Sequence, residues 1–190
     1  MLSIKKLSSP IKKYTGLYFF ASKSERMFSN FISLLLMMSD LSLPKYDFNL
    51  KSIEGITHIF DVIRKKYVKL TPEEWVRQNM VHHLIHDKHF SPSWITVEQG
   101  LTYNSMNKRA DIICYDRNGK AVLLVECKAS TVKINQSVFE QIARYNFELK
   151  VPYLLVTNGL KHYCCQMDYN NNSFDFLEDI PSFSTIESSD

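Results

Sequence analysis

A run of apolar residues, Ala121-Val122-Leu123-Leu124-Val125, leads directly into Glu126-Cys127-Lys128. The run reads as a strand apolar enough for the centre of a sheet. The strand period of two then puts Glu126 and Lys128 on one face. Burying charge at the end of a central strand is costly without a counter-charge or a metal. The fold must therefore bring such a partner to this point. Upstream, Ala110-Asp111-Ile112-Ile113-Cys114-Tyr115 reads as a second strand, and Asp116-Arg117-Asn118-Gly119 carries the Asn-Gly hairpin signal. A hairpin about that turn makes the two strands antiparallel neighbours and brings Asp111 beside Glu126 and Lys128. Two carboxylates converging with a lysine can hold a divalent cation next to an amine that acts on water. The same trio also reads as an ion pair at a strand end with no chemistry.

The other elements frame this hairpin. Thr71 is an N-cap, Pro72 suits the first helical position and Glu74 completes a capping box, so a helix is expected from Thr71 to about His86. Its buried arc comprises Val76, Met80, Val81, Leu84 and Ile85, with Glu74 beside Val81 and Ile85, Glu73 beside Met80 and Leu84, and Arg77 inside the arc. A second helix is expected over about Gln136 to Leu149, stopped by Pro152. Tyr46–Leu50, Trp94–Glu98, Tyr153–Thr157 and Leu160–Met167 read as strands, and Ile59–Val68 as strand or helix. Gly100–Asn107 reads as a polar loop, Asp168–Ser173 as a turn, and the acidic end of the chain as fraying.

Composition narrows the class. The 190 residues include 45% apolar and 23% charged residues, with 12 Phe and 10 Tyr, which describes a folded domain rather than a disordered chain. No apolar run approaches the ~20 residues of a membrane span. The net charge of +3 divides into +5 over residues 1–37, +4 over 38–167 and −6 over 168–190. A basic middle is compatible with a polyanionic partner. Residues 1–37 read as a signal peptide without a cleavage site, as an amphipathic surface helix, or as sequence ahead of a natural start at Met37 or Met38. In each case the segment is treated as outside the domain. Cys114, Cys127, Cys164 and Cys165 form no C-x-x-C pair, which fits reduced thiols in a cytoplasmic protein. His82, His83, His86 and His89 read as a solvated face rather than a zinc site. Arg64-Lys65-Lys66 and Lys108-Arg109 are candidate phosphate contacts or exposed charge runs.

Taken together, Asp111, the fifteen-residue spacing and Glu126-Cys127-Lys128 resemble the PD-(D/E)XK nuclease signature, with Ala110 where proline is named. The stretch from Thr71-Pro72-Glu73-Glu74-Trp75-Val76-Arg77-Gln78 through Val125-Glu126-Cys127-Lys128-Ala129 to Thr157-Asn158-Gly159 is similar to the N-terminal nuclease domain of type I restriction enzyme R subunits, over about residues 45–180. The resemblance implies an α/β restriction-endonuclease-like core, a mixed β-sheet flanked by helices. It implies Mg2+ (Mn2+ as a substitute) on Asp111, Glu126 and the Cys127 backbone carbonyl, with Lys128 acting on the attacking water. It implies an acid on the first helix, Glu74, with Glu73 as alternate. Gln141-Ile142-Ala143-Arg144-Tyr145 resembles a Q-x-x-x-Y motif, implying that Gln141 and Tyr145 hold the site and the nucleic-acid backbone. Glu98 would stand behind the site or in solvent.

The expectation is therefore a Mg2+-dependent DNA endonuclease-type hydrolase domain related to restriction-modification systems. DNA and possible restriction-system subunits are its partners, and no membrane is involved. No P-loop is present, so the ATP-driven motor of the R subunits is missing from this chain. The domain is expected over 38–180, with an acidic tail over 181–190. The competing expectation is a non-catalytic nucleic-acid-binding or assembly module that kept the fold.

Overall fold

A computed structural model describes residues 38, 40–103 and 106–188. The chain begins with a three-stranded antiparallel meander, β1 (Leu50–Ile53), β2 (Ile56–Asp61) and β3 (Lys66–Lys69). Helix α1 (Pro72–His86) follows, then a 3-10 turn over Pro92–Trp94. The main sheet has six strands in the order of the chain: β4 (Ile95–Tyr103), β5 (Met106–Tyr115), β6 (Ala121–Cys127), β7 (Tyr153–Thr157), β8 (His162–Asp168) and β9 (Ser173–Leu177). Helix α2 (Gln136–Leu149) crosses from β6 to β7, which makes that pair parallel; all other neighbours are antiparallel. A short helix α3 (Phe183–Glu187) closes the described chain. The mixed α/β architecture expected from the sequence is present.

Both faces of the sheet are covered. Val76, Met80, Val81 and Leu84 of α1 pack with Ile112, Leu123, Val125 and Leu155 on one face. Phe139 and Ala143 of α2 pack with Ile113, Leu124, Leu154 and Val156 on the other. Strand β7 is buried along its whole length, as a central strand covered by helices on both sides must be. Adjacent Cys164 and Cys165 enter opposite cores, and all four cysteines are free and buried. Burial pushes the Cys164 and Cys165 thiols up to about 12, so they behave as small apolar residues.

Helix α1 starts as its sequence requires. Thr71 accepts a bond from the Glu74 N–H at 3.1 Å and Pro72 occupies the first turn. Only this half of the capping box is used by the cap, because the Glu74 carboxylate is directed elsewhere. The turn after β7 is set by Gly159 at φ +79°, where a Cβ would lie 2.7 Å from a Leu41 methyl and 3.2 Å from Val76. The Ser42 N–H donates to the Gly159 carbonyl at 2.7 Å, which fixes the approach of residues 41–42 to this turn.

Several expectations are corrected. Residues 100–103 and 106–107 are strand rather than polar loop: β4 and β5 continue as a paired ribbon to Tyr103 and Met106, since ladder bonds need no apolar side chains. The strand placed at Tyr46–Leu50 begins at Leu50; instead Tyr46 stacks on His86, and Phe48 meets Trp75 and His82 of α1 edge to face. Ile59–Val68 spans two strands and their turn. The β5–β6 connection is organised by buried Asp116, which accepts from the Asn118 and Lys120 N–H groups, with Gly119 at φ +79°. The acidic end does not fray within the described residues. Ser173–Leu177 adds β9, and Phe183 and Ile186 of α3 are buried, Phe183 stacked on Trp94 at 4.7 Å. Residues 1–37 lie outside the described residues.

Candidate active site

The site lies where β6 and β7 end together, Cys127 pairing with Thr157. The C-terminal ends of parallel strands are the usual ligand position in such sheets. Strand β5 runs antiparallel to β6 with Ile112 opposite Val125, and the continued register places Asp111 across from Glu126. There the ladder gives way to a side chain: the Cys127 N–H donates to Asp111 Oδ2 at 2.7 Å. Lys128 Nζ donates to Glu126 Oε1 at 2.8 Å, as expected of two residues on one face. The Lys128 N–H donates to the Thr157 carbonyl at 2.8 Å and holds the strand end in place.

The electrostatics of the two acids differ. Burial and then the Asp111 charge push the Glu126 carboxyl above its ordinary value, and Lys128 offsets this only in part. Burial would lower Lys128, but its bond to Glu126 and the surrounding carboxylates outweigh that and raise it. Asp111 instead has a strong partner on α1. Arg77 Nη2 donates to Asp111 Oδ1 at 2.8 Å and to Glu73 at 3.2 Å, and Arg77 Nη1 donates to Glu74 Oε2. The Arg77 side chain is only 5% exposed. Burial opposes its charge, but Asp111 and Glu74 outweigh burial and keep the guanidinium firmly protonated.

A second guanidinium closes the site from the meander. Arg64, in the β2–β3 turn, donates to Asp61 at 2.5 Å, to Glu74 Oε1 at 2.6 Å and to Glu98 Oε2 at 2.5 Å. Gln78 of α1 donates to both Asp61 and Glu74 at 2.8 Å. Burial would raise Asp61, but the bonds from Arg64 and Gln78 outweigh it and hold its carboxyl low. Glu98 sits at φ +53° and also lies 3.6 Å from Arg77. Among the described residues the network sets six carboxylates (Asp61, Glu73, Glu74, Glu98, Asp111, Glu126) against three cations (Arg64, Arg77, Lys128). Its excess is negative, which favours cations and opposes a bare phosphate.

A family model, type I restriction enzyme R protein N terminus (HSDR_N), matches residues 72–181, more than half of the chain. The chain belongs to this family. A solved structure described as a fragment of an HsdR subunit of a type I restriction enzyme from Vibrio vulnificus YJ016 is similar at 19% identity and a TM-score of 0.44. The similarity covers 61% of this chain and 24% of that one, so this family member spans about a quarter of that chain's length. No curated protein matches.

Within the family match lie all the residues expected at the site: Glu74, Asp111, Glu126, Cys127, Lys128, Gln141 and Tyr145. Asp111, Glu126 and Lys128 meet, and Glu74 joins Asp111 through Arg77. The Glu74 oxygens accept from Arg64, Arg77 and Gln78, which ties α1 to the meander. Among the described residues no group of three or more His, Cys, Asp and Glu converges as metal ligands. Gln141 and Tyr145 are on α2, but their side chains, like those of Lys108 and Arg109, lie outside the described residues. Arg64 is corrected: it is an internal counter-ion, not a surface phosphate contact. Of the two expectations for Glu98 the structure fits the first: it stands behind the site, bonded to Arg64. His82 and His83 are half-buried rather than solvated, because Tyr46 and Phe48 cover them. Asp61 and Gln78 were missed, and no local sequence signal marks them; only their pairing across α1 does.

Proposed function

We propose that the chain is a Mg2+-dependent DNA nuclease domain that hydrolyses phosphodiester bonds, of the PD-(D/E)XK type. The observation that carries the reading is the meeting of Asp111 and Glu126 at adjacent strand ends with Lys128 bonded to Glu126. The donor chemistry fits a hard cation: two facing carboxylates, one with its carboxyl raised by burial and by the other's charge. Asp111, Glu126 and the Cys127 carbonyl would hold Mg2+ or Mn2+. The bound cation would supply Lewis-acid polarisation of the scissile phosphate and charge stabilisation. The chain's own residues do the rest. Lys128, held in its charged form beside Glu126, orients the attacking water and supplies positive charge at the reacting phosphate, Arg77 fixes Asp111, and Gln141 and Tyr145 of α2 contact the nucleic-acid backbone. The partners are DNA and, in the cytoplasm, other subunits of a restriction system.

The test is purified chain with linear, circular and single-stranded DNA, in Mg2+ or Mn2+ against EDTA. Cleavage is expected only with metal. Lys128→Ala abolishes cleavage but keeps the rise in Tm with Mg2+, because ligand binding to the native state stabilises it. Asp111→Asn loses both. A second reading has one observation in its favour: Arg77 engages both Asp111 and Glu74, as a structural ion-pair network would. A non-catalytic module of this kind gives no cleavage and no Mg2+-dependent Tm shift in wild type.

A further inference from the structure

The outward face of the meander is unlike the rest of the surface. The register pairs Leu50, Ile59 and Val68 on the face that packs on Trp75 and α1. The alternate residues therefore face away. Running outward from the Arg64 turn these are Phe60 and Tyr67, then Lys51, His58 and Lys69, then Ile53 and Ile56. Phe60 and Tyr67 meet edge to face at 5.3 Å, and Lys51 Nζ sits 5.6 Å over the Tyr67 ring. Tyr67 is 38% and Ile56 44% exposed. Lys65 and Lys66 are exposed where the meander meets the site. Between residues 50 and 69 the acids are Glu54, in the β1–β2 turn, and Asp61, which is buried under Arg64 and Gln78.

Lysines with no ion-pair partner among the described residues, set around an exposed Tyr67 and a half-buried Phe60, are the chemistry of a single-strand platform: cations track phosphates and bases stack on aromatic faces. Three strands are about 10 Å across, which suits one strand rather than a duplex. We infer that this face binds a single-stranded segment of DNA and delivers it to the site along the line Lys69/Lys51, Tyr67, Lys65. The Arg64 turn joins the two, since Arg64 touches Glu74 and Glu98. The inference rests on the nuclease reading for the choice of DNA and for where the strand leads.

The experiment is fluorescence anisotropy of the full chain with a labelled 20-nucleotide oligothymidylate and with a duplex of the same length, in EDTA so that nothing is cut. Wild type binds the single strand more tightly than the duplex. Tyr67→Ala weakens it by about tenfold, as loss of one stacked base does, while Tyr67→Phe keeps it. The double variant Lys51→Gln/Lys69→Gln lowers the slope of log K against log salt by about 1.4, or 0.7 for each phosphate contact. Unchanged affinity and slope in the lysine pair, or equal preference for the duplex, overturns the inference. If Tyr67→Ala unfolds, the lysine pair decides alone. A chain that binds in this way but never cuts keeps the platform and loses the nuclease. Cleavage with binding indifferent to Lys51, Lys69 and Tyr67 does the reverse.

Discussion

Asp111 and Glu126 face each other, yet neutralising them has unequal consequences for the metal-free protein. Asp111→Asn removes the charge that Arg77 binds, and the two side chains are 16% and 5% exposed. Breaking a buried ion pair from one side costs about 3–5 kcal/mol. Asn keeps an oxygen for the Cys127 N–H, and Arg77 keeps Glu74, so the expected loss falls to about 2–3 kcal/mol. In a domain of this size that is a fall in Tm of roughly 5–10 °C. Glu126→Gln gives up a partly buried pair with Lys128, the two side chains 23% and 30% exposed, worth about 1 kcal/mol. It also relieves repulsion from Asp111 and Glu73. The net change is expected within about 0.5 kcal/mol of zero at pH 7. The pH dependence follows from linkage. A carboxyl raised in the folded state binds its proton more tightly there than in the unfolded chain, so stability falls as pH rises from the ordinary 4.5 through the folded value. The relief in Glu126→Gln is therefore present at pH 7 and gone below about pH 4. Urea unfolding in EDTA at both pH values measures it. Equal destabilisation by the two substitutions at pH 7 refutes the asymmetry and with it the assignment of Arg77 to Asp111.

Gly159→Ala combines a positive φ with a Cβ 2.7 Å from Leu41, so it should destabilise by about 1–3 kcal/mol in denaturant titration. Phe183→Ala removes a buried ring stacked on Trp94 and edge-on to Phe90, and should cost about 3 kcal/mol; no change in Tm would mean that the C-terminal helix is undocked. His82 is held below its ordinary 6.5 by burial and then by His86, so the unfolded chain takes up protons first and stability declines as pH drops below about 6.5. His82→Phe keeps the ring contacts with Tyr46 and Phe48 and should flatten that decline, leaving the shares of His83 and His162.

The centre of the sheet was legible because it obeys simple periodicity: β6 and β7 are apolar runs, and the cap at Thr71-Pro72 announces α1. Asp111, Glu126 and Lys128 were legible for the same reason, since a two-residue period and one hairpin suffice to bring them together. The remainder of the network was hidden by distance and by type. Helix α1 buries Glu74, Arg77, Gln78 and Asn79 as well as its apolar residues, so an apolar stripe understates what the helix covers. Arg64 begins an Arg-Lys-Lys run and looks like surface, and only Asp61, Glu74 and Glu98 drawing on it from three elements reveal otherwise. The far end of the β4–β5 ribbon reads as loop because its pairing is carried by backbone, and β9 is lost in an acidic end that reads as fraying because Ser173–Leu177 lies at the sheet edge with little burial.

The reach of Arg64 has a practical consequence for anyone dividing the protein into parts. The region shared with the family starts at residue 72, and a clone cut there would look complete by sequence. It would discard Asp61 and Arg64 together and leave Gln78, Glu74 and Glu98 facing one another with a single guanidinium between them. The meander is thus no detachable ornament, and grafting it onto a cousin would succeed only if α1 travels with it.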